Sequence, residues 1–228
     1  DRLRSRGLGD VYKRQEINRA SPKTQSSLLE AMEETQVTVD GVTYDIPDPF
    51  TVIATQNPAG FVGTYPLPEA QLDRFALRIK MGYPTPEEEI MILKRRLNGD
   101  PITSVRPVGK NAVQLLRAVA EKVTVSDEIE RYIVSLVSAT RMRSEFSLGA
   151  SPRASVALMR LSRAWSVLHH RAYVVPDDIA DLFSEAVAHR VTMSREAAAA
   201  GIDAVTVLDA VLKSTAVPYA QTRRGFGI

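Results

Sequence analysis

The sequence predicts an α/β unit followed by an all-α unit, and three observations carry that reading. Strand-like and helix-like patterns alternate as far as residue 82. An Asp40-Gly41 pair joins two runs of alternating β-branched residues, the strongest short hairpin signal a sequence can hold. From Tyr83-Pro84 onward nearly every stretch reads as helix, which sets the boundary between the two units there.

Taken in order, Asp1 to Gln15 has no apolar period, is rich in arginine, and carries Gly7 and Gly9, which would interrupt a helix. It is expected to be a non-native or disordered leader, irregular or weakly helical. Ser21-Pro22 starts a helix, Ser as cap and Pro in the first turn, and Leu28, Leu29 and Met32 form its narrow apolar stripe down to Glu34. The hairpin follows, Gln36–Val39 and Val42–Ile46, ended by Pro47 and Pro49. Thr51 to Ala54 reads as a short buried strand, and Pro58 turns the chain out of it. A glycine-bearing loop to Pro68, a short helix over 69–75 and a strand-like run over 76–81 complete the first unit. Thr85-Pro86-Glu87-Glu88 is a capping box opening a helix to about Leu97. Further helices are predicted over 110–122 (Val113, Leu116 and Ala120 inward), 127–143 behind Ser126, 152–170 behind Ser151-Pro152, 177–190 and 203–214.

The totals exclude several classes. The 228 residues suffice for one large or two small cores, and 44% hydrophobic with 25% charged residues is ordinary globular composition. No apolar run approaches the ~18 residues of a membrane span. With no cysteine there is no disulfide, thiolate chemistry or cysteine-ligated zinc, which fits a reducing, cytoplasmic setting. Three histidines leave little for a metal site, and the adjacent His169-His170 diverge by about 100° on a helix. The net charge of +2 is localised: residues 1–15 hold five basic against two acidic residues, so residues 16–228 sum to −1. Bulk charge therefore gives nucleic-acid binding no support.

The chemistry centres on Thr51 to Phe75. A polar amide, Asn57, follows a strand at its carboxyl end, where open α/β sheets place ligands. Seventeen residues later Arg74 sits in a short helical pattern, and its fixed charge and fork of donors suit a phosphate. Together they suggest a nucleotide-hydrolysis site.

Five segments carry a family resemblance: Glu16–Glu34, Gln36–Gly41, Val52–Pro58, Gly63–Phe75 and Gly82–Pro84. In this order and spacing they closely resemble the MoxR family of AAA+ ATPases, densely over 16–84 and more loosely beyond. The resemblance implies a partial AAA+ α/β core with a hairpin insertion over 16–83 and a helical lid over 84–228. It implies ATP and Mg2+ as ligands, and a homo-oligomeric ring, a hexamer, that hydrolyses ATP between subunits and acts on a protein client or a metal-binding partner domain. Residue by residue, Glu16 matches the Walker B glutamate that polarises the attacking water. Asn57 matches the sensor 1 residue, and Arg74 in Leu-Asp-Arg-Phe looks like the arginine finger. Arg153 in Gly149-Ala-Ser-Pro-Arg resembles the sensor 2 arginine. Asn57 is expected to serve its own subunit's nucleotide and Arg74 the neighbour's.

The chain also departs from the family pattern. It contains no Gly-x-x-x-x-Gly-Lys-Ser/Thr loop, and Gln15 stands where the magnesium-directing aspartate belongs. The expectation is the carboxyl-terminal two-thirds of an AAA+ module, unable to hydrolyse ATP alone. Two other readings stay open: a magnesium-chelatase-like or nucleic-acid-motor AAA+ subunit, and a non-enzymatic helical adaptor built on 85–228.

Overall fold

The structure, a computed structural model, describes residues 11–14, 17–39, 41–56, 65, 67–97, 105–106 and 108–218. Strand β1 (Val11–Arg14) pairs in parallel with β4 (Thr51–Ala54), Val11 opposite Thr51 and Arg14 opposite Ala54. The expectation of an irregular or weakly helical segment over Val11–Arg14 is therefore corrected. Backbone pairing with β4 decides its conformation, and pairing needs no apolar period on the paired strand. The Ile17 N–H extends the ladder to the Thr55 carbonyl at 2.9 Å.

Helix α1 (Pro22–Glu34) starts as expected, with the Thr24 N–H on Ser21 Oγ at 3.4 Å. It ends at Thr35 in the left-handed region, φ 50°. Its inner face is built on Gln25 and Ala31, both buried. Gln25 Nε2 donates to the carbonyls of Ile17, Ala20 and Tyr65, which gathers the segments around the helix start. The hairpin of β2 (Gln36–Val39) and β3 (Val42–Asp45) forms with Val39 opposite Val42, and Gly41 adopts φ +80° as its turn requires.

The short strand at Thr51–Ala54 is not buried. Its residues alternate between exposed and half-buried, with Ile53 at 53% exposure. The β1–β4 sheet has two strands among the described residues, and one face of β4 is exposed. Helix α2 (Glu69–Leu72) is shorter than the pattern predicted and continues as hydrogen-bonded turns to Phe75. The run 76–81 does not form a strand; Arg78 donates its N–H to the Glu185 carbonyl at 2.9 Å instead.

Helix α3 (Pro86–Leu97) has the predicted capping box, Thr85 N–H to Glu88 Oε2 at 2.8 Å and Glu88 N–H to Thr85 Oγ1 at 3.3 Å. It buries none of its residues. In α4 (Lys110–Glu121) Val113 and Leu116, expected inward, are exposed. Arg117 of α4 reaches Asp48 at 2.6 Å, which ties this helix to the loop leading into β4.

The core lies in the helices α5 (Asp127–Thr140), α6 (Pro152–Leu168), α7 (Pro176–Val187) and α9 (Ala204–Ser214). Leu136, Leu158, Ile179, Phe183 and Leu208 are fully buried there. Two short elements missed by periodicity, β5 (Phe146–Leu148) and β6 (Thr192–Met193), pair antiparallel, and α8 (Arg195–Ala199) follows them. One buried carboxylate braces the bundle. Asp178 accepts from Arg171, from Ser166 Oγ at 3.0 Å and from the Val175 N–H at 2.9 Å. Burial pushes its pKa up, but these hydrogen bonds outweigh burial and hold it below the usual carboxylate value.

Candidate functional site

Arg74 and Arg153 come from opposite ends of the fold to one cleft. Arg74 lies in the turn that follows α2, and Arg153 in the first turn of α6. A cleft of about 550 Å³ between them is lined also by Asp73, Arg160, Arg190 and the α6 residues Pro152 and Val156. Four guanidinium groups thus border it; Asp73 is the carboxylate in its lining and Glu33 pairs with Arg74 and Arg153 beside it, so cations outnumber carboxylates four to two. Such an excess is suited to an anion with several oxygens.

The arginines differ in how they are held. Arg74 pairs with Glu33 of α1 at 3.0 Å. Its Nε is buried without a hydrogen-bond partner. Arg153 is two-thirds exposed and reaches Asp73 at 3.7 Å and Glu33 at 4.0 Å. Glu33 therefore touches both. Arg160 lies two turns along α6 from Arg153, exposed on the cleft wall. Arg190 is the exception, with 4% side-chain exposure and an Nε on Asp73 Oδ1 at 2.7 Å. Burial lowers its pKa while Asp73 raises it again, and a guanidinium stays charged throughout.

The start of α6, which aims Arg153, is fixed from below. The Ala150 N–H donates to Thr140 Oγ1 at 3.0 Å, and Arg141 Nη1 donates to the Ala150 carbonyl at 2.8 Å. At Gly149 a side-chain carbon would lie 2.6 Å from Arg141 Cα, so only glycine fits against that backbone. The buried face of α6 carries Ala154, Leu158, Ser162 and Ser166. The two serines return their hydroxyls to the Leu158 and Ser162 carbonyls at 2.7 and 2.9 Å.

Glu16 and Asn57 lie outside the described residues. They follow in sequence by two and three residues the aligned ends of β1 and β4, Arg14 opposite Ala54. Among the described residues no group of three or more His, Asp or Glu could hold a metal ion. The described donors around the cleft are cationic and fit phosphate oxygens.

Sequence reasoning found Arg74 and Arg153 but missed their partners. Glu33 stood in a run of helix-surface acids and offered no signal. Arg190 and His189 stood at the end of the helix predicted over 177–190, with no motif around them. Only the tertiary fold brings Arg190 to Asp73 and His189 to the Phe75 carbonyl.

Comparison with known proteins identifies the family. The model of the AAA ATPase family (ATPase family associated with various cellular activities) matches residues 8–77. That of the AAA lid domain matches residues 138–211. The α/β and helical parts are thus those of an AAA ATPase core and its lid. The uncharacterized protein YeaC of Bacillus subtilis is 46% identical over 92% of this chain and 66% of its own length. Chaperone MoxR1 of Mycobacterium tuberculosis is 38% identical over 89% of this chain and 56% of its own length. A crystal structure of a candidate ATPase from Cytophaga hutchinsonii superposes with a TM-score of 0.85 at 38% identity, covering 91% of this chain and 66% of that one. The chain belongs to the MoxR family of AAA+ ATPases. It spans 66% and 56% of the two relatives' lengths.

Proposed function

We propose that this chain supplies the arginine side of an ATP-hydrolysing site formed between subunits of a homo-oligomeric ring, and that the ring drives chaperone-like work on client proteins. The carrying observation is that Arg74 and Arg153 line one cleft, about 550 Å³, and share the carboxylate of Glu33. A cleft with two arginines shared by one anion is suited to one phosphate group. If Arg74 is the finger that reaches a neighbour's ATP, Arg153 acts on that same nucleotide, not on its own subunit's.

The roles of Arg74 and Arg153 rest on charge and placement, and those of Glu16 and Asn57 on the family resemblance. Arg74 neutralises charge developing on the γ-phosphoryl oxygens, a contribution on the order of 10³–10⁵ in rate for such fingers. Arg153, exposed at the head of α6, binds the phosphate end as the lid approaches. Glu16 polarises the attacking water and Asn57 orients it, both from the subunit that holds the nucleotide. ATP with Mg2+ is the substrate, and a hexameric ring in the cytoplasm is the assembly in this reading. A protein client is favoured over nucleic acid because residues 16–228 carry a net −1.

The test is ATP turnover by a full-length ATPase carrying this chain. Arg153→Ala is expected to lower turnover, and Arg74→Ala to lower it by about a hundredfold or more. Wild-type turnover in both variants would remove the basis of the assignment.

A further inference from the structure

We propose that Arg190, with His189 beside it, is a positioning residue for Arg74, a clamp that fixes the arginine-bearing turn to the helical unit. The proposal rests on the reading of Arg74 as phosphate-directed. Arg190 ends a 3-10 turn (Ala188–Arg190) that follows α7. Its guanidinium spends nearly all its donors on the residues flanking Arg74. Nε donates to Asp73 Oδ1 at 2.7 Å, and Nη2 to the carbonyls of Asp73 at 3.0 Å and Phe75 at 2.8 Å. Nη1 donates to the Ala76 carbonyl at 3.4 Å and to that of Ala186 in α7. His189, 5% exposed, donates its Nε2–H to the same Phe75 carbonyl at 2.9 Å.

The pattern is selective. Residues 73, 75 and 76 are all held from a turn more than a hundred residues away, and the residue between them, Arg74, is left to face the cleft. Burying a guanidinium carries a large desolvation cost, which hydrogen bonds from its donors must offset. Here Asp73 and four carbonyls supply the acceptors, so the arginine is stable only while the turn keeps this shape. Arg153 is carried by α6, which packs along α7, the helix that leads into the clamp. Arg74 and Arg153 are consequently mounted on one body. Movement of the helical unit carries both arginines toward or away from a phosphate together.

The experiment compares Arg74→Ala, Arg190→Gln, His189→Gln and the double variant Arg74→Ala/Arg190→Gln in the full-length ATPase. It is paired with hydrogen exchange on the 228-residue chain. Arg190→Gln is expected to lower kcat between about tenfold and a hundredfold with little change in KM, as for a reacting group displaced by roughly 1 Å. The double variant is expected to be no slower than Arg74→Ala alone. In exchange, the Arg74 and Phe75 amides open faster in Arg190→Gln while those of α9 stay protected. Multiplying effects in the double variant, or a kcat loss matching the loss of folded protein, would overturn the proposal. Should Arg190→Gln unfold the bundle, His189→Gln decides: reduced kcat at unchanged KM supports the clamp, and unchanged kcat refutes it. If Arg74→Ala leaves turnover untouched, the phosphate reading fails instead. The clamp is then judged by exchange alone, and unchanged exchange at residues 74 and 75 sinks it.

Discussion

Replacing Glu33 by Gln tests the electrostatics of the cleft directly. The Glu33 carboxylate holds Arg74 at 3.0 Å and Arg153 at 4.0 Å, and an incoming phosphate must draw both arginines away from it. Glu33 is 40% exposed, Arg74 29% and Arg153 68%, so solvent screens these pairs heavily. The closer pair falls near the top of the range for partly exposed ion pairs, about 0.5–1 kcal/mol, and the longer one near 0.2 kcal/mol. Removing the competing carboxylate therefore releases roughly 1 kcal/mol to the anion, about a fivefold gain in affinity. Inorganic tripolyphosphate titrated calorimetrically into the wild-type chain and Glu33→Gln measures it. The expected result is tighter binding by the variant at low salt, with the difference shrinking as salt rises. Equal or weaker binding by Glu33→Gln would refute the view that Glu33 occupies the place of a phosphate.

Two further outcomes concern stability. Gly149→Ala places a methyl group 2.6 Å from the Arg141 backbone and is expected to cost about 1–3 kcal/mol in urea unfolding, the range for overpacked sites. Stability should also fall with acid in two stages. Burial first, then Arg190 and Arg78, lower the pKa of His189, against the raising effects of the Phe75 carbonyl and Asp73. Its contribution is thus complete above the unfolded value near 6.5 and is lost as pH falls through the lower folded value. Asp178, also depressed, contributes above about 3.9 and loses that contribution below its folded pKa. A denaturation midpoint that is flat between pH 7 and 5 would contradict the first stage.

The helices were legible because their signals are local. Ser21-Pro22, the Thr85–Glu88 box and Ser126 each act within a single turn, and α1, α3 and α5 begin where those residues place them. Burial was much less legible. Val113 and Leu116 have a helical period, yet they remain exposed on α4, because a period says which face is apolar and not whether anything covers it. Val11–Arg14 failed in the opposite direction, since a parallel partner imposes strand on a sequence without alternation. At the site, Arg74 and Arg153 could be picked out because each lies in a distinctive motif. Glu33, Asp73 and Arg190 act across 40 to more than 100 residues of sequence, and no local pattern encodes a contact of that range. The family resemblance supplied the fold class, an AAA+ core with a lid, that composition alone left open.

Subunit mixing tests the central claim most directly. In a full-length ATPase carrying this chain, Arg74→Ala leaves a subunit's own Glu16 intact but removes the arginine it offers a neighbour. Glu16→Gln does the reverse. Each variant alone is expected to be nearly inactive. Mixed rings place an intact Arg74 against an intact Glu16 at some interfaces, so ATP turnover should rise well above the average of the two separate variants. A mixture no faster than that average would contradict an arginine that acts across the subunit boundary.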